Sequence, residues 1–179
     1  HVEIIRLGTK LPVVLPQRIT EKLTGMLRSF HPLIFSLHVI HPDELTREAA
    51  FAIERLADAG IVIGSQTVLL KEINDSTAVI QMLMENLLRL RVRPYALFQC
   101  DPILGSRHFR TKLDTGLEII ENLRRQSSGY AIPHFIADPP GGKVTLSPKT
   151  LISKTDTGYR LKNWRGDEVE YTDPATDSP

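Results

Sequence analysis

The sequence predicts an α/β fold built on a parallel sheet, followed by a small antiparallel β appendage. Candidate strands and helices alternate along most of the 179 residues with short connections, which is the order of an α/β protein. The strands are nearly continuous apolar runs, as in sheets that are covered on both faces by helices or a barrel interior. Neither a Gly-x-Gly-x-x-Gly motif nor a P-loop lysine motif follows the first strand, so a partial parallel (β/α) barrel fits best.

Five short runs rich in branched apolar residues are predicted as strands. In chain order they cover residues 12–16, 33–40, 61–70, 92–99 and 131–138. A helical segment separates each strand from the next, so consecutive strands are expected to lie parallel in one sheet.

Four segments carry apolar residues three and four positions apart, as amphipathic helices do. They cover residues 20–30, 46–60, 74–91 and 115–129. Thr20 can cap the first helix, and Asp75 or Ser76 the third. Gly60 and Gly129 are well placed to end the second and fourth helices.

The pattern changes after Lys143. Residues 1–143 are expected to form the α/β unit. Residues 144–172 alternate polar and apolar positions around turns at 156–158 and 165–167, which predicts a small antiparallel β appendage. Residues 173–179 are expected to be a loose tail.

Composition excludes several classes of protein. Lys and Arg total 22 against 21 for Asp and Glu, without the basic excess of a nucleic-acid binder. No apolar run approaches the length of about 20 residues that a membrane span needs. Cys100 is the single cysteine, so it forms no internal disulfide and cannot by itself build a metal site. With no visible signal peptide, a cytoplasmic protein is expected, and the start at His1 rather than Met suggests a fragment or a processed product.

Polar residues follow or interrupt the predicted strands near their ends. They are Gln17 and Arg18, His38, Gln66, Gln99 and Asp101, and Asp138. In parallel barrels the chemistry gathers at the carboxyl ends of the strands, so these groups are expected to meet at one rim.

Each of these residues also has an ordinary structural interpretation. His38 could be a hydrogen-bonded core histidine and Gln66 an interior amide. Asp101 and Asp138 each precede a proline and could simply begin a turn, and Lys143 could be a surface lysine. The number of such strand ends in one chain favours a functional site.

The segment "ADPPGGK" (137–143) places two glycines directly before a lysine. Gly141 and Gly142 would give the backbone the freedom to bring the Lys143 amine toward a ligand. A lysine in a partly apolar pocket can attach an aldehyde cofactor such as pyridoxal phosphate, and two converging carboxylates can receive a cation.

Five stretches together resemble the lysine 2,3-aminomutase family of radical S-adenosylmethionine enzymes. They are "LPVVLPQRIT", "GIVIGSQTVLLKEIND", "RVRPYALFQCD", "GSRHFRTKLDTGLEIIENLR" and "SSGYAIPHFIADPPGGK", and the resemblance is collinear over residues 1–165. It implies that residues 1–143 are the C-terminal half of a radical S-adenosylmethionine partial barrel. It further implies a 4Fe-4S cluster, S-adenosylmethionine, pyridoxal 5'-phosphate, conversion of L-lysine to β-lysine by 1,2-amino migration, and a homo-oligomer at full length.

Carried over by motif, the resemblance makes Lys143 the catalytic lysine that holds pyridoxal phosphate. Asp101 in "QCD" and Asp138 in "IAD" would bind the side-chain ammonium of the substrate, and Gln66 and His38 would lie on the S-adenosylmethionine side. Two carboxylates favour lysine over glutamate, because an anionic side chain would be repelled. Arginine, a protein-bound lysine, or a catalytically incomplete fragment that acts only as a binding module remain alternatives.

The chain departs from the family pattern in four places. The cluster motif Cys-x-x-x-Cys-x-x-Cys is absent, so this chain holds no metal site of its own and is expected to be inactive alone, with the cluster ligands in an earlier part of the protein. The run "PPGGK" is shorter than the family's glycine run, and "HVIHPDELT" differs from the usual stretch after the His38 position. The family's C-terminal zinc cysteines are also missing.

Overall fold

The structure is a computed structural model that describes residues 1–174. Its helices are α1 (Leu11–Val14), α2 (Glu21–Leu27), α3 (Arg47–Asp58), α4 (Thr77–Arg89) and α5 (Leu113–Gln126). Its strands are β1 (Ile5–Thr9), β2 (Leu33–His38), β3 (Val62–Leu69), β4 (Arg93–Gln99), β5 (His134–Ala137), β6 (Val144–Thr145), β7 (Leu151–Thr155), β8 (Gly158–Lys162) and β9 (Glu168–Thr172). No helix in this part of the chain has the length and hydrophobicity to cross a bilayer.

The strands form two separate sheets. The larger sheet has the order β1-β2-β3-β4-β5-β6, in which β1 to β5 run parallel and the short β6 pairs antiparallel with β5. The smaller sheet contains β7, β8 and β9 in antiparallel order. The predicted α/β class, with a parallel sheet and a small antiparallel unit, is confirmed.

Helices α3, α4 and α5 pack against one face of the parallel sheet. Leu37, Ile63, Leu97 and Phe135 point into this interface and are almost completely buried. Gly116 lets α5 approach β5 closely, because a Cβ atom at this position would lie only 2.0 Å from Cζ of Phe135. The helices therefore supply one continuous apolar core beneath the sheet.

The opposite face of the sheet is less covered. Along β3, the side chains that point to the helices are buried, whereas Gly64, Gln66 and Val68 on the alternate positions are only half-buried. The apolar character of the strands predicted that helices or a barrel interior cover both faces. Among the described residues the helices cover one face. The second face can therefore carry a site.

The first predicted strand was wrong. Residues 12–16 form helix α1 and the start of a 3₁₀ turn, and the first strand is β1, which pairs with β2 from Leu33 to Leu37. Pro12 lies in the first turn of α1, where its missing N–H costs no hydrogen bond, whereas a strand would lose a ladder bond there. Gln17 and Arg18 consequently lie in the 3₁₀ turn and do not follow a strand.

The predicted helix ends are largely confirmed. Thr20 accepts a hydrogen bond from Leu23 N–H at 3.2 Å, and Ser76, rather than Asp75, caps α4 through Val79 N–H at 3.3 Å. Gly60 follows α3 with a φ of +78°. The fourth predicted helix, α5, ends at Gln126 before Gly129, which lies in a following 3₁₀ turn.

The small sheet docks on the N-terminal end of α5. Asp114 binds both the Lys154 ammonium and the Tyr159 hydroxyl, and Leu113 N–H donates to the Asp173 carboxylate at 2.7 Å. Asp173 belongs to the tail predicted as loose, and residues 175–179 of that tail lie outside the described residues. The docked sheet places the turn between β8 and β9 next to the loop that follows β5.

Candidate functional site

Asp138 and Lys143 lie together at the carboxyl end of β5. Asp138 follows the last residue of β5, and Lys143 precedes β6, which returns antiparallel along β5. The Nζ atom of Lys143 is 3.9 Å from Oδ2 of Asp138 and 5.2 Å from the ring centroid of Phe98 on β4. The hairpin between β5 and β6 thus brings the amine over the partly open face of the sheet.

A tight turn in residues 138–143 produces this return. Gly142 N–H donates to the carbonyl of Pro139 at 3.1 Å, and Gly141 has a φ of +102°. Proline at the second position and glycine with positive φ at the third are typical of a type II turn. The glycines therefore serve a turn that begins just after Asp138, and that turn also carries Lys143 back toward Asp138.

Asp101 completes a group of three charges. It lies two residues beyond the end of β4, at the surface. Partial burial of its carboxyl raises the pKa above the ordinary aspartate value, the negative charge of Asp138 raises it further, and the Lys143 ammonium opposes both. The two carboxylates and the amine therefore act on one another electrostatically, and an added cation between the carboxylates would be attracted.

His38 and Gln66 form a second group on the same face. They are register partners on β2 and β3, with Gln66 half-buried and His38 exposed at the end of its strand. In the same register, Gln66 lies beside Ala96 on β4, and Ala96 lies beside His134 on β5. This line of residues crosses the sheet two positions before Phe98 along β4. Neighbouring strands are about 4.8 Å apart, and β3 and β2 are two and three strands from β5, so this group lies to the side of the lysine.

Gln99 does not join the rim. It is 2% exposed, and its Nε2 atom donates to the Thr111 carbonyl at 2.6 Å, which places it on the helix side of the sheet. The expected convergence is therefore wrong for Gln99. For Gln17 and Arg18 the reason for expecting it is lost, because they lie in a 3₁₀ turn and not directly after a strand. Alternation along a strand sends neighbouring residues to opposite faces, so proximity to a strand end alone does not place a side chain in the site.

Cys100 is not suited to hold an iron–sulfur cluster. It is buried, and burial together with the nearby Asp101 charge raises the pKa of its thiol, whereas a metal ligand must be a thiolate. Within residues 1–174, no group of three His, Cys, Asp or Glu residues is arranged to bind a metal ion. The described residues thus do not fit an iron–sulfur cluster.

Sequence reasoning missed two neighbours of the lysine loop. Phe98 provides the apolar surface below Lys143 and could have been found from its alternation with Leu97 along β4. Asn163, in the β8–β9 turn, donates from its side chain to the Gly141 carbonyl at 3.1 Å. No local signal marks Asn163, because its partner is 22 residues away in the chain.

In α/β proteins the functional sites lie at the carboxyl edge of the parallel strands, and Asp101, Asp138 and Lys143 follow the ends of two neighbouring strands at this edge. Residues 120–179 match a family model described as lysine-2,3-aminomutase. The chain is 50% identical over 176 residues to L-lysine 2,3-aminomutase of Fusobacterium nucleatum, covering 97% of this chain and 41% of the relative. The chain belongs to the lysine 2,3-aminomutase family.

Two further relatives differ in the substrate that they are named for. L-Lysine 2,3-aminomutase of Clostridium subterminale is 45% identical over 181 residues, covering 100% of this chain and 44% of the relative. Glutamate 2,3-aminomutase of Clostridioides difficile is 44% identical over 180 residues, covering 99% of this chain and 43% of the relative. The chain therefore spans less than half the length of these relatives, and overall identity does not separate the two named substrates.

Proposed function

We propose that the chain is the C-terminal portion of a lysine 2,3-aminomutase, an isomerase that moves the amino group of L-lysine from the α to the β carbon. The observation that carries this proposal is the grouping of Asp101, Asp138 and Lys143 at the ends of β4 and β5 in a chain of this family. The proposal includes the finer fold, in which the parallel sheet is half of a radical S-adenosylmethionine partial barrel. It also includes a homo-oligomer at full length.

Lys143 is the residue that would hold pyridoxal phosphate. Its side chain is 63% exposed on the partly open face of the sheet, so its amine is accessible to an aldehyde, and Phe98 offers an apolar surface beside it. Gln66 and His38 would line the S-adenosylmethionine side. When bound, pyridoxal phosphate would supply a conjugated ring that delocalises an unpaired electron arising on the substrate. The ligands of the 4Fe-4S cluster would come from sequence outside residues 1–179.

The two carboxylates would select the substrate. Asp101 and Asp138 attract a cationic side chain, and such a cation would lower the pKa of Asp101 by offsetting the repulsion from Asp138. A glutamate side chain would place a third carboxylate in the same region and be repelled. The proposed preference is therefore for lysine, although one relative is named for glutamate.

Two alternatives keep part of this assignment. A guanidinium suits two carboxylates as well as an ammonium does, so arginine is a close variant of the substrate, as is a lysine within a protein. A second class is a binding module that attaches pyridoxal phosphate but performs no migration, which the poor fit of Cys100 to an iron–sulfur site favours for the isolated chain.

The first experiment is covalent labelling of Lys143 in the full-length natural protein. The protein is mixed with pyridoxal phosphate, reduced with borohydride, and the modified lysine is located by mass spectrometry. We expect the label on Lys143, its loss in Lys143→Ala, and no change in Lys149→Ala, a matched control because Lys149 is also exposed. A label that persists in Lys143→Ala would overturn the cofactor assignment. Comparing turnover of lysine, arginine and glutamate then tests the substrate.

A further inference from the structure

The loop that carries Lys143 is not held by the contacts of the lysine itself. The distance of 3.9 Å to Asp138 and the exposed side chain describe a surface ion pair, which contributes little to a fixed geometry. Gly141 and Gly142 both have positive φ, and glycine gives the backbone the largest conformational freedom. The position of the amine therefore depends on whatever fixes the backbone of residues 138–143.

Asn163 makes such a contact from the β8–β9 turn. Its residue is 7% exposed, and its Oδ1 atom accepts from the backbone N–H groups of Arg165 and Asp167, each at 2.9 Å. Its Nδ2 atom donates to the Gly141 carbonyl at 3.1 Å and to Oδ2 of Asp167 at 3.3 Å. The oxygen of this amide shapes its own turn, and the nitrogen reaches the lysine loop.

The small sheet also packs on the same loop. A Cβ atom at Gly141 would lie 2.8 Å from Cγ1 of Val169 on β9, and one at Gly142 would lie 3.5 Å from Nε1 of Trp164. Residues on β9 and in the β8–β9 turn thus surround the turn that precedes Lys143. The contact with Asn163 is part of a continuous surface of the small sheet.

We propose that Asn163 is a positioning residue, which holds the Gly141 carbonyl and thereby sets where the Lys143 amine meets pyridoxal phosphate. This inference rests on the proposed function of Lys143. A reacting amine needs its position fixed closely, and a glycine turn that is anchored by a buried amide meets this need better than the same turn without that anchor. The antiparallel sheet accordingly serves the site as a support for the loop that carries Lys143.

The test is the variant Asn163→Asp in the full-length natural protein. Aspartate keeps the oxygen that accepts from Arg165 and Asp167 but replaces the donor to Gly141 with a second oxygen. The variant loses the hydrogen bonds to the Gly141 carbonyl and to Asp167, and its carboxylate repels both acceptors. Loss of the bond to Gly141 should weaken the apparent affinity for pyridoxal phosphate about 10-fold. The readouts are an absorbance titration with pyridoxal phosphate, the yield of borohydride-trapped label on Lys143, and the melting temperature.

Two further variants separate positioning from simple loss of stability. Asp167→Asn removes the carboxylate beside Asn163 but leaves the bond to Gly141, so the affinity should stay within about twofold. In the double variant Asn163→Asp with Asp167→Asn, the new amide can donate to the new carboxylate. We expect this exchange to restore the melting temperature and to leave attachment at Lys143 weakened.

The outcomes distinguish this inference from the proposed function. If the unchanged protein carries no label on Lys143, the proposed function fails and this inference with it. If it is labelled and Asn163→Asp is labelled with equal affinity, or if the double variant restores attachment together with stability, positioning by Asn163 is refuted alone. Should Asn163→Asp not fold, Val169→Ala replaces it, with an expected loss of about threefold from weaker packing on Gly141. An unchanged affinity in Val169→Ala would then count against the inference.

Discussion

Replacing Asp138 with asparagine tests whether the two carboxylates bind the cationic side chain of the substrate. The change removes one of two carboxylates near Lys143 while keeping the size of the side chain. A hydrogen bond to a charged group contributes about 1.5–3 kcal/mol, so the KM for lysine should rise roughly 10- to 150-fold while kcat changes less. The lost ion pair with Lys143 adds little, because a pair this exposed is worth at most about 1 kcal/mol.

The same variant should shift the pH dependence of substrate binding. In the unchanged protein the pKa of Asp101 is raised by burial and by the charge of Asp138. Binding of a cation needs the ionised carboxylate, so binding strengthens as the pH rises through this raised pKa. Asp138→Asn removes the like charge, so the pKa of Asp101 falls and the acid limb of the profile moves to lower pH.

The assay is the pH profile of kcat/KM for lysine turnover in the full-length natural protein. Asp156→Asn, in the exposed turn between β7 and β8, is the matched control and should leave both KM and the profile unchanged. An unchanged KM in Asp138→Asn would refute the role of this carboxylate in substrate binding. An acid limb that stays in place would refute the coupling between Asp101 and Asp138.

Two further predictions concern the packing that supports the site. Asp114→Asn should lower the melting temperature near pH 7, and the difference should shrink as the pH falls. Burial raises the pKa of Asp114, but the hydrogen bonds from Lys154 and Tyr159 outweigh burial and hold this pKa below the ordinary aspartate value. The stability that the ionised Asp114 contributes is therefore lost as the pH falls through its pKa. A difference independent of pH would contradict this account. Gly116→Ala should lower the free energy of unfolding by about 1–3 kcal/mol, because the new Cβ would lie 2.0 Å from the Phe135 ring and α5 must shift. The measurement is denaturant unfolding, and an unchanged unfolding midpoint would show that α5 can shift without cost.

The order of most helices and strands could be predicted from the sequence, because the apolar spacing and the capping residues that define each element lie within that element. Helical spacing and capping residues determined α2 to α5, and the apolar runs determined β2 to β5. The prediction of a strand at residues 12–16 was wrong because an apolar run of five residues is too short for its spacing to distinguish a strand from a helical turn. The structure forms its first strand at β1, which pairs with β2, and residues 11–14 form the helix α1, in which a proline near the start costs no hydrogen bond.

For the site, the sequence by itself determined that Asp101, Asp138 and Lys143 follow or flank strands that run parallel, and parallel strands bring such ends to one edge. The tertiary structure decided which faces the side chains take: it turned Gln99 toward the helices and set Phe98 below Lys143. The tertiary structure also decided that Asn163 holds the loop before Lys143. Contacts between segments far apart in the chain depend on how whole sheets dock, and no period or motif within a short window records that docking.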